Sequence, residues 1–290
     1  MRTAELFEQK PVFSLKVFPP KPDADESVIY QTLEQLSDIH PDFISVTYGA
    51  GGGKNGSKTI RIASDIQRRY GVESVAHLPC IHLTREQARE ILAQMQQAGI
   101  ENILALRGDR TDNEAPAGDF RHASDLIEFI REQYDFNIIA ACYPEIHPES
   151  GSAVDDLKWL KYKVDCGADH LITQLFLDNA YFYDFREKAR IAGINAPIEA
   201  GIMPVTNKRQ IERMVKLCGV ALPKKFVRVL EKYEHNETAL RDAGIAYAID
   251  QITDLIAEGV DGIHLYTMNN AYIAHRIYDA VQNLITVPVC

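Results

Sequence analysis

The sequence predicts an α/β fold, a (β/α)8 TIM barrel with an extra helix inserted after the seventh strand. Two observations predict it. Short apolar runs alternate with amphipathic helical stretches eight times along the chain. The connections are short, and the only substantial insertion follows the seventh strand. Eight such units read as a closed barrel more readily than as an open doubly wound sheet. No internal repeat, low-complexity tract or linker interrupts the 290 residues. Barrels of that length run as one domain, so residues 1–290 are expected to form a single catalytic domain.

The elements follow in order. VFSLKVF (12–18) is the first strand, with Phe13, Leu15 and Val17 on one face and Ser14, Lys16 and Phe18 on the other. A lysine inside a central strand needs a purpose, because its ammonium is costly to withdraw from water. ESVIYQTLEQLSDI (26–39) is helical, FISVTY (43–48) is a strand, and SKTIRIASDIQRRY (57–70) is the helix behind it. ESVAHLP (73–79) leads to a helix in which Thr84 and Gln87 have capping-box spacing and Gly99 marks the end. NILALRG (102–108) leads to SDLIEFIREQY, where Ser124 is the expected N-cap and Asp125 suits the first turn. With that cap, Ile127 at the third position excludes a full capping box. FNIIAACY (136–143) and HLITQLF (170–176) each precede a helix. PIEAGIMPV (197–205) precedes NKRQIERMVKLCG and two further helical stretches between Pro223 and Gly259. GIHLYTM (262–268) and a final helix complete the count.

Composition narrows the function. The chain is 46% hydrophobic and 25% charged, ordinary for a globular protein whose core needs no disulfide or metal staple. Its formal charge of −10 offers no electrostatic footprint for nucleic acid. The five cysteines (Cys80, Cys142, Cys166, Cys218 and Cys290) are scattered without a CxxC, which favours a reducing cytosol and argues against zinc. MRTAELFEQKPV has no apolar signal core, and no run approaches membrane-spanning length, so the expected location is cytoplasmic.

In a barrel of this kind the working residues lie at the C-terminal ends of the strands. Those positions are polar here in unit after unit: Lys16, Thr47-Tyr48, His77, Arg107-Gly108-Asp109, Tyr143 to His147, and Gln174 in the sixth strand. GGGKNGSKT (51–59) departs from the GxxxxGK[ST] phosphate loop and reads as a flexible active-site loop. His77, His82 and His147 lack metal-ligand spacing, and no carboxylate cluster completes a set. Trp159 reads as packing rather than a stacking platform. Two mechanisms stay open on these grounds: a Schiff-base aldolase using a desolvated Lys16, or a bound redox cofactor ringed by the other residues.

FSLKVFPPK, DFISVTYGAGG, AHLPCI, ILALRGD, AACYPEIHPES, LKYKVDCGADHLITQLFLD, GIMPV and HLYTMN, spanning residues 13 to 269 in that order, together resemble the bacterial, barrel-only methylenetetrahydrofolate reductases. LALRGD, YPEIHPES and DCGAD…ITQ are the most specific of them. The resemblance implies a flavoenzyme of one-carbon metabolism and methionine biosynthesis. NADH or NADPH reduces bound FAD, and the reduced flavin passes hydride to 5,10-methylenetetrahydrofolate, giving 5-methyltetrahydrofolate. It carries flavin contacts onto Tyr48, Ala50, His77, Arg107, Gly108, Asp109, Ala123, Tyr143, His147, Asp156 and Lys163. Nicotinamide or folate contacts fall on Thr47, Gln174 and Gln210, and Asp109 matches the carboxylate that orients the pterin. By the same analogy the protein is a homo-oligomer.

Two positions depart from the pattern. Lys16 stands where the family carries a glutamate regarded as the general acid for opening the folate ring. A lysine at its reference pKa of about 10.4 is a poor proton donor at neutral pH. Its charge would also repel the cation formed nearby. The folate step is therefore expected to be slower by roughly 10²–10⁴-fold, with flavin reduction largely intact. Three readings account for the change: it is introduced, or natural with another donor such as a water-bridged Glu145, or the mark of a flavin- and folate-binding homologue that no longer turns over. Asn270 stands where some members have an arginine in the substrate region.

Overall fold

A computed structural model describes residues 1–8, 10–20, 24–48, 53–109 and 118–286. A 3-10 helix, Thr3–Glu8, precedes β1 (Val12–Val17) and α1 (Ser27–Ser37). Then come β2 (Phe43–Val46), α2 (Gly53–Tyr70), β3 (Glu73–Pro79), α3 (Arg85–Gln97), β4 (Asn102–Leu106) and α4 (Ala123–Gln133). β5 (Asn137–Cys142), α5 (Ala153–Asp165), β6 (His170–Thr173), α6 (Asn179–Ile191) and β7 (Ile198–Ile202) continue the alternation. Three helices, α7 (Lys208–Cys218), α8 (Lys224–Tyr233) and α9 (Glu237–Ala257), precede β8 (Gly262–Tyr266) and α10 (Ala271–Ile285). The strands close in sequence order, all parallel, with β8 pairing β1. Among the described residues no helix is long and apolar enough to cross a membrane.

The period-2 alternation of β1 does what its sequence requires. Phe13, Leu15 and Val17 are buried in the main core between barrel and helices, with Leu33, Ile44 and Ile277. Burying one such side chain is worth about 1.5–3 kcal/mol. Ser14 and Lys16 face the barrel interior. Lower in that interior, Val12, Phe43, Val75, Leu104, Ile139 and Ile172 form a separate apolar cluster closed by Leu6 and Phe7 of the 3-10 helix. The sequence reading had missed that helix. Thr3 holds it there: its N–H donates to Asn102 Oδ1 at 2.9 Å, and Asn137 Nδ2 donates to Thr3 Oγ1 at 2.8 Å.

Helix termini show where local reasoning holds and where it fails. Thr84 and Gln87 form the expected capping box, at 3.2 and 2.9 Å, and Gly99 takes φ +77° after α3. At α4 the N-cap is His122, not Ser124; Ser124 is buried. Asp125 thereby becomes the third helical residue and accepts from the backbone N–H groups of Arg121 and His122. The glycine-rich stretch is also corrected. From Gly53 onwards it is the start of α2 rather than a loop, while residues 51 and 52 lie outside the described residues. Packing outweighs the helix-breaking tendency of glycine there. A Cβ on Gly56 would fall 2.3 Å from the Tyr48 hydroxyl, and Thr59 Oγ1 donates to the Thr47 carbonyl at 3.0 Å.

Candidate functional site

A cavity of about 2020 Å³ lies at the C-terminal ends of the strands. Lys16 of β1, Thr47 and Tyr48 after β2, and His77 of β3 line it. So do Arg107, Gly108 and Asp109 after β4, and Ala123 at the start of α4. Tyr143 and His147 after β5, Asp156 and Lys163 of α5, Gln174 and Gln210 complete the set of sequence candidates. Gln174 lies just past β6 rather than within it, because the strand ends at Thr173. Ala50 lies outside the described residues. Asn270 is not in the lining: it caps α10, with Oδ1 accepting from the Ile273 N–H at 3.2 Å.

The walls are electrostatically distinct. Arg107 forms a two-pronged pair with Glu149, both N–O distances 2.6 Å, which raises its pKa. Gly108 has φ +91°, which a side chain rarely adopts, so the backbone here can approach a ligand closely. Asp156 Oδ2 accepts from the His147 N–H at 3.2 Å, and the His147 ring meets Tyr143 edge-on at 4.6 Å. Burial lowers the pKa of both His147 and Lys163, and Lys163 Nζ donates to the Ala141 carbonyl. Burial pushes Tyr143 up to about 12. Two buried polar atoms, Tyr48 Oη and His77 Nε2, have no hydrogen-bond partner among the described residues.

Lys16 is a strongly perturbed cation. Burial pushes its ammonium down to about 8, opposed by the nearby Cys218 and Asp109. Nζ stands 4.5 Å from the centre of the Tyr266 ring and 5.6 Å from that of Phe18. His77, also buried, is held well below its usual value by desolvation and then by Lys16 and His264.

The sequence reading missed a second group beneath this floor. Ser14 Oγ lies 2.6 Å from both Glu199 Oε1 and His264 Nδ1, and His264 Nε2 lies 3.2 Å from Ser45 Oγ. The available signal was an ionisable residue within each of the last two apolar strands, the same anomaly that singled out Lys16. Trp159 is corrected too. It is 59% exposed, lines the cavity, and stacks on His122 at 5.9 Å and 13°.

The sequence profile of the family described as "Methylenetetrahydrofolate reductase" matches residues 2–282. The chain belongs to the methylenetetrahydrofolate reductase family. A 5,10-methylenetetrahydrofolate reductase of Pectobacterium carotovorum subsp. carotovorum is 37% identical over 264 residues, covering 91% of this chain and 88% of that one. The Escherichia coli (strain K12) 5,10-methylenetetrahydrofolate reductase is 36% identical over 267 residues, with the same coverage of 91% and 88%. Among solved structures, an uncharacterized protein from Clostridium thermocellum that binds two copies of 5-methyl-5,6,7,8-tetrahydrofolic acid superposes with TM-score 0.66. At 14% identity, covering 97% of this chain and 98% of that one, it shares the fold. Lys16 is a cation on the cavity wall, and the other described candidate positions, Asn270 apart, line the same cavity.

Proposed function

We propose that this chain is an FAD-dependent oxidoreductase that uses NADH or NADPH to reduce 5,10-methylenetetrahydrofolate to 5-methyltetrahydrofolate. The observation that carries the reading is convergence. One cavity gathers every described residue at the expected cofactor and substrate positions except Asn270. Its volume of about 2020 Å³ exceeds the roughly 300–1,000 Å³ of an ordinary ligand pocket, as a site admitting a dinucleotide and a second reactant requires.

The residues present fit a flavin dinucleotide. Bound FAD would supply the hydride-carrying ring. Arg107 and Lys163, both in the cavity lining, would hold its pyrophosphate, with His147 adding a ring nitrogen. The Tyr48 hydroxyl and His77 Nε2, without a hydrogen-bond partner among the described residues, offer polar contacts to the cofactor. Asp109 orients the pterin, while Thr47, Gln174 and Gln210 contact nicotinamide or folate. The barrel is one catalytic domain, and the enzyme is a cytoplasmic homo-oligomer by analogy with the family.

Proton supply decides what Lys16 does. Converting the methylene bridge to a methyl group takes a hydride and one proton, the proton going to the nitrogen released from the bridge. An unperturbed lysine would give it up poorly, but burial brings the Lys16 ammonium down to about 8, nearer the working pH. Lys16 is thus a better acid than an unperturbed lysine, but its positive charge still opposes a cationic folate.

The test is direct. The purified protein, incubated with FAD and freed of excess, should be yellow. Anaerobic NADH or NADPH should bleach it, and methylenetetrahydrofolate should restore the colour with 5-methyltetrahydrofolate as product. A chain that binds no FAD, or whose reduced flavin yields no methylfolate, would defeat the reading.

A further inference from the structure

Glu199 is fully buried in β7, yet a continuous polar path leads from it to the cavity floor. Its Oε1 lies 2.6 Å from Ser14 Oγ, and Ser14 Oγ lies 2.6 Å from His264 Nδ1. The His264 ring lines the cavity, and Ser45 Oγ steadies it at 3.2 Å from Nε2. These are adjacent strands in register: Ser14 pairs with His264, and Lys16 pairs with Tyr266 on one side and Ser45 on the other.

The opposite direction is closed. Glu199 Oε2 faces His170 Nε2 at 3.8 Å, and neither atom has a hydrogen-bond partner among the described residues. Desolvation holds His170 down at about 3, so it does not take the proton. The Phe7 ring seals the base beneath it at 4.9 Å from the His170 ring.

The groups facing the path agree on the direction of its charge. Burial pushes Glu199 up to about 8, against the Ser14 hydrogen bond; Asp42 and Asp261, at the starts of neighbouring strands, push the same way as burial. Desolvation, followed by Lys16 and His170, keeps His264 neutral well below its usual pKa. His77 on β3 is neutral for the same reason. A neutral Glu199 carboxyl donating from Oε1 to Ser14, with Ser14 donating to Nδ1 and Nε2–H to Ser45, gives each link of the path one donor and one acceptor.

We propose that Glu199 stores a proton that Ser14 and His264 pass to the cavity floor, where it recharges Lys16 after the folate step. This rests on the reductase reading above. The Glu199 O–H bond breaks as a Ser14 O–H bond forms, and the Ser14 hydroxyl hydrogen passes to Nδ1. The Nε2 hydrogen passes to Ser45 Oγ as the Ser45 hydroxyl hydrogen leaves for a solvent water on the floor, and that water gives a proton to the Lys16 amine. The sum is carboxylic acid plus amine giving carboxylate plus ammonium, with no change of oxidation state. The store supplies one proton while reactants fill the cavity. Glu199 reloads by the reverse path when product leaves.

Infrared difference spectroscopy tests the path without turnover. The C=O band of a protonated acid, assigned by its loss in E199Q, should be present at neutral pH. In D2O it should shift at least about tenfold faster in wild type than in S14A, where the relay hydroxyl is gone. No such band, or equal exchange in S14A, overturns the path. In the loaded enzyme, E199Q should slow repeated folate reduction by roughly tenfold or more with flavin reduction by NADH unchanged. An unchanged folate rate overturns the recharging role. If wild type shows the exchange but forms no methylfolate, the reductase reading fails and the proton path stands.

Discussion

Lys16 Nζ stands 4.5 Å from the centre of the Tyr266 ring, and that ring is fixed from two sides. Tyr266 Oη donates to the Thr173 carbonyl at 2.9 Å, and Gly201 leaves room for it, since a Cβ there would fall 2.8 Å from the hydroxyl. The ring face favours the ammonium while burial opposes it. Replacing Tyr266 by Leu should therefore lower the Lys16 pKa below its present value of about 8. Loss of roughly 0.5–2 kcal/mol of cation–π attraction corresponds to about 0.4–1.5 pH units. Tyr266→Phe, which keeps the ring, should move it much less. Lysine-selective NMR titration reads both, and equal shifts in the two variants would refute the ring's role.

The charge at position 16 should govern the folate step more than flavin reduction. Lys16→Glu is expected to accelerate anaerobic reoxidation of the reduced flavin by methylenetetrahydrofolate by roughly 10²-fold or more. Reduction by NADH should change little. Equal reoxidation rates in the two proteins would mean that another group donates the proton.

Arg107 pairs with Glu149, and on the proposed reading a flavin pyrophosphate would compete for it. Arg107→Ala should weaken FAD binding by about 1.5–3 kcal/mol, on the order of 10- to 150-fold. Flavin fluorescence titration measures it, and an unchanged Kd would remove Arg107 from the cofactor site.

Stability should depend on pH through the buried groups. Glu199 binds its proton more tightly folded than unfolded, so its contribution is complete below its unfolded value of 4.5 and is lost as pH rises through about 8. His77, His170 and His264 have lowered folded pKa values, so their contribution is present above 6.5 and is lost as pH falls below it. Wild type should lose stability on both sides of neutrality. Tm measured across that range should fall less steeply on the alkaline side in Glu199→Gln. A parallel alkaline decline in both proteins would contradict a protonated Glu199.

Gly56→Ala should destabilise by about 1–3 kcal/mol through overpacking, because its Cβ would meet the Tyr48 hydroxyl. In Tyr48→Phe the same substitution should be milder. Denaturation of the four proteins gives the coupling, and strict additivity would show that the two residues do not collide.

The sequence by itself determined the order of the barrel and the inward or outward face of its strands. Apolar side chains repeating at period 2 or 3.6 must be buried whatever surrounds them, so Phe13, Leu15 and Val17 could be assigned to one face from spacing. It also placed Lys16, Arg107 and Tyr143 at strand ends, where one cavity gathers them. Helix boundaries were less legible. His122 displaced Ser124 as the cap, and α2 began at Gly53, because contacts distant in sequence outweigh local propensity.

Only the tertiary structure decided which polar residues meet. Glu199 and His264 lie 185 and 250 residues from Ser14 along the chain, and no periodicity encodes their 2.6 Å contacts with it. Burial likewise decided the chemistry of Lys16. The sequence shows a lysine with an ordinary pKa; the folded chain removes its water and brings that pKa down to about 8. Desolvation belongs to the surroundings that folding assembles, so it could not be read from the residue alone.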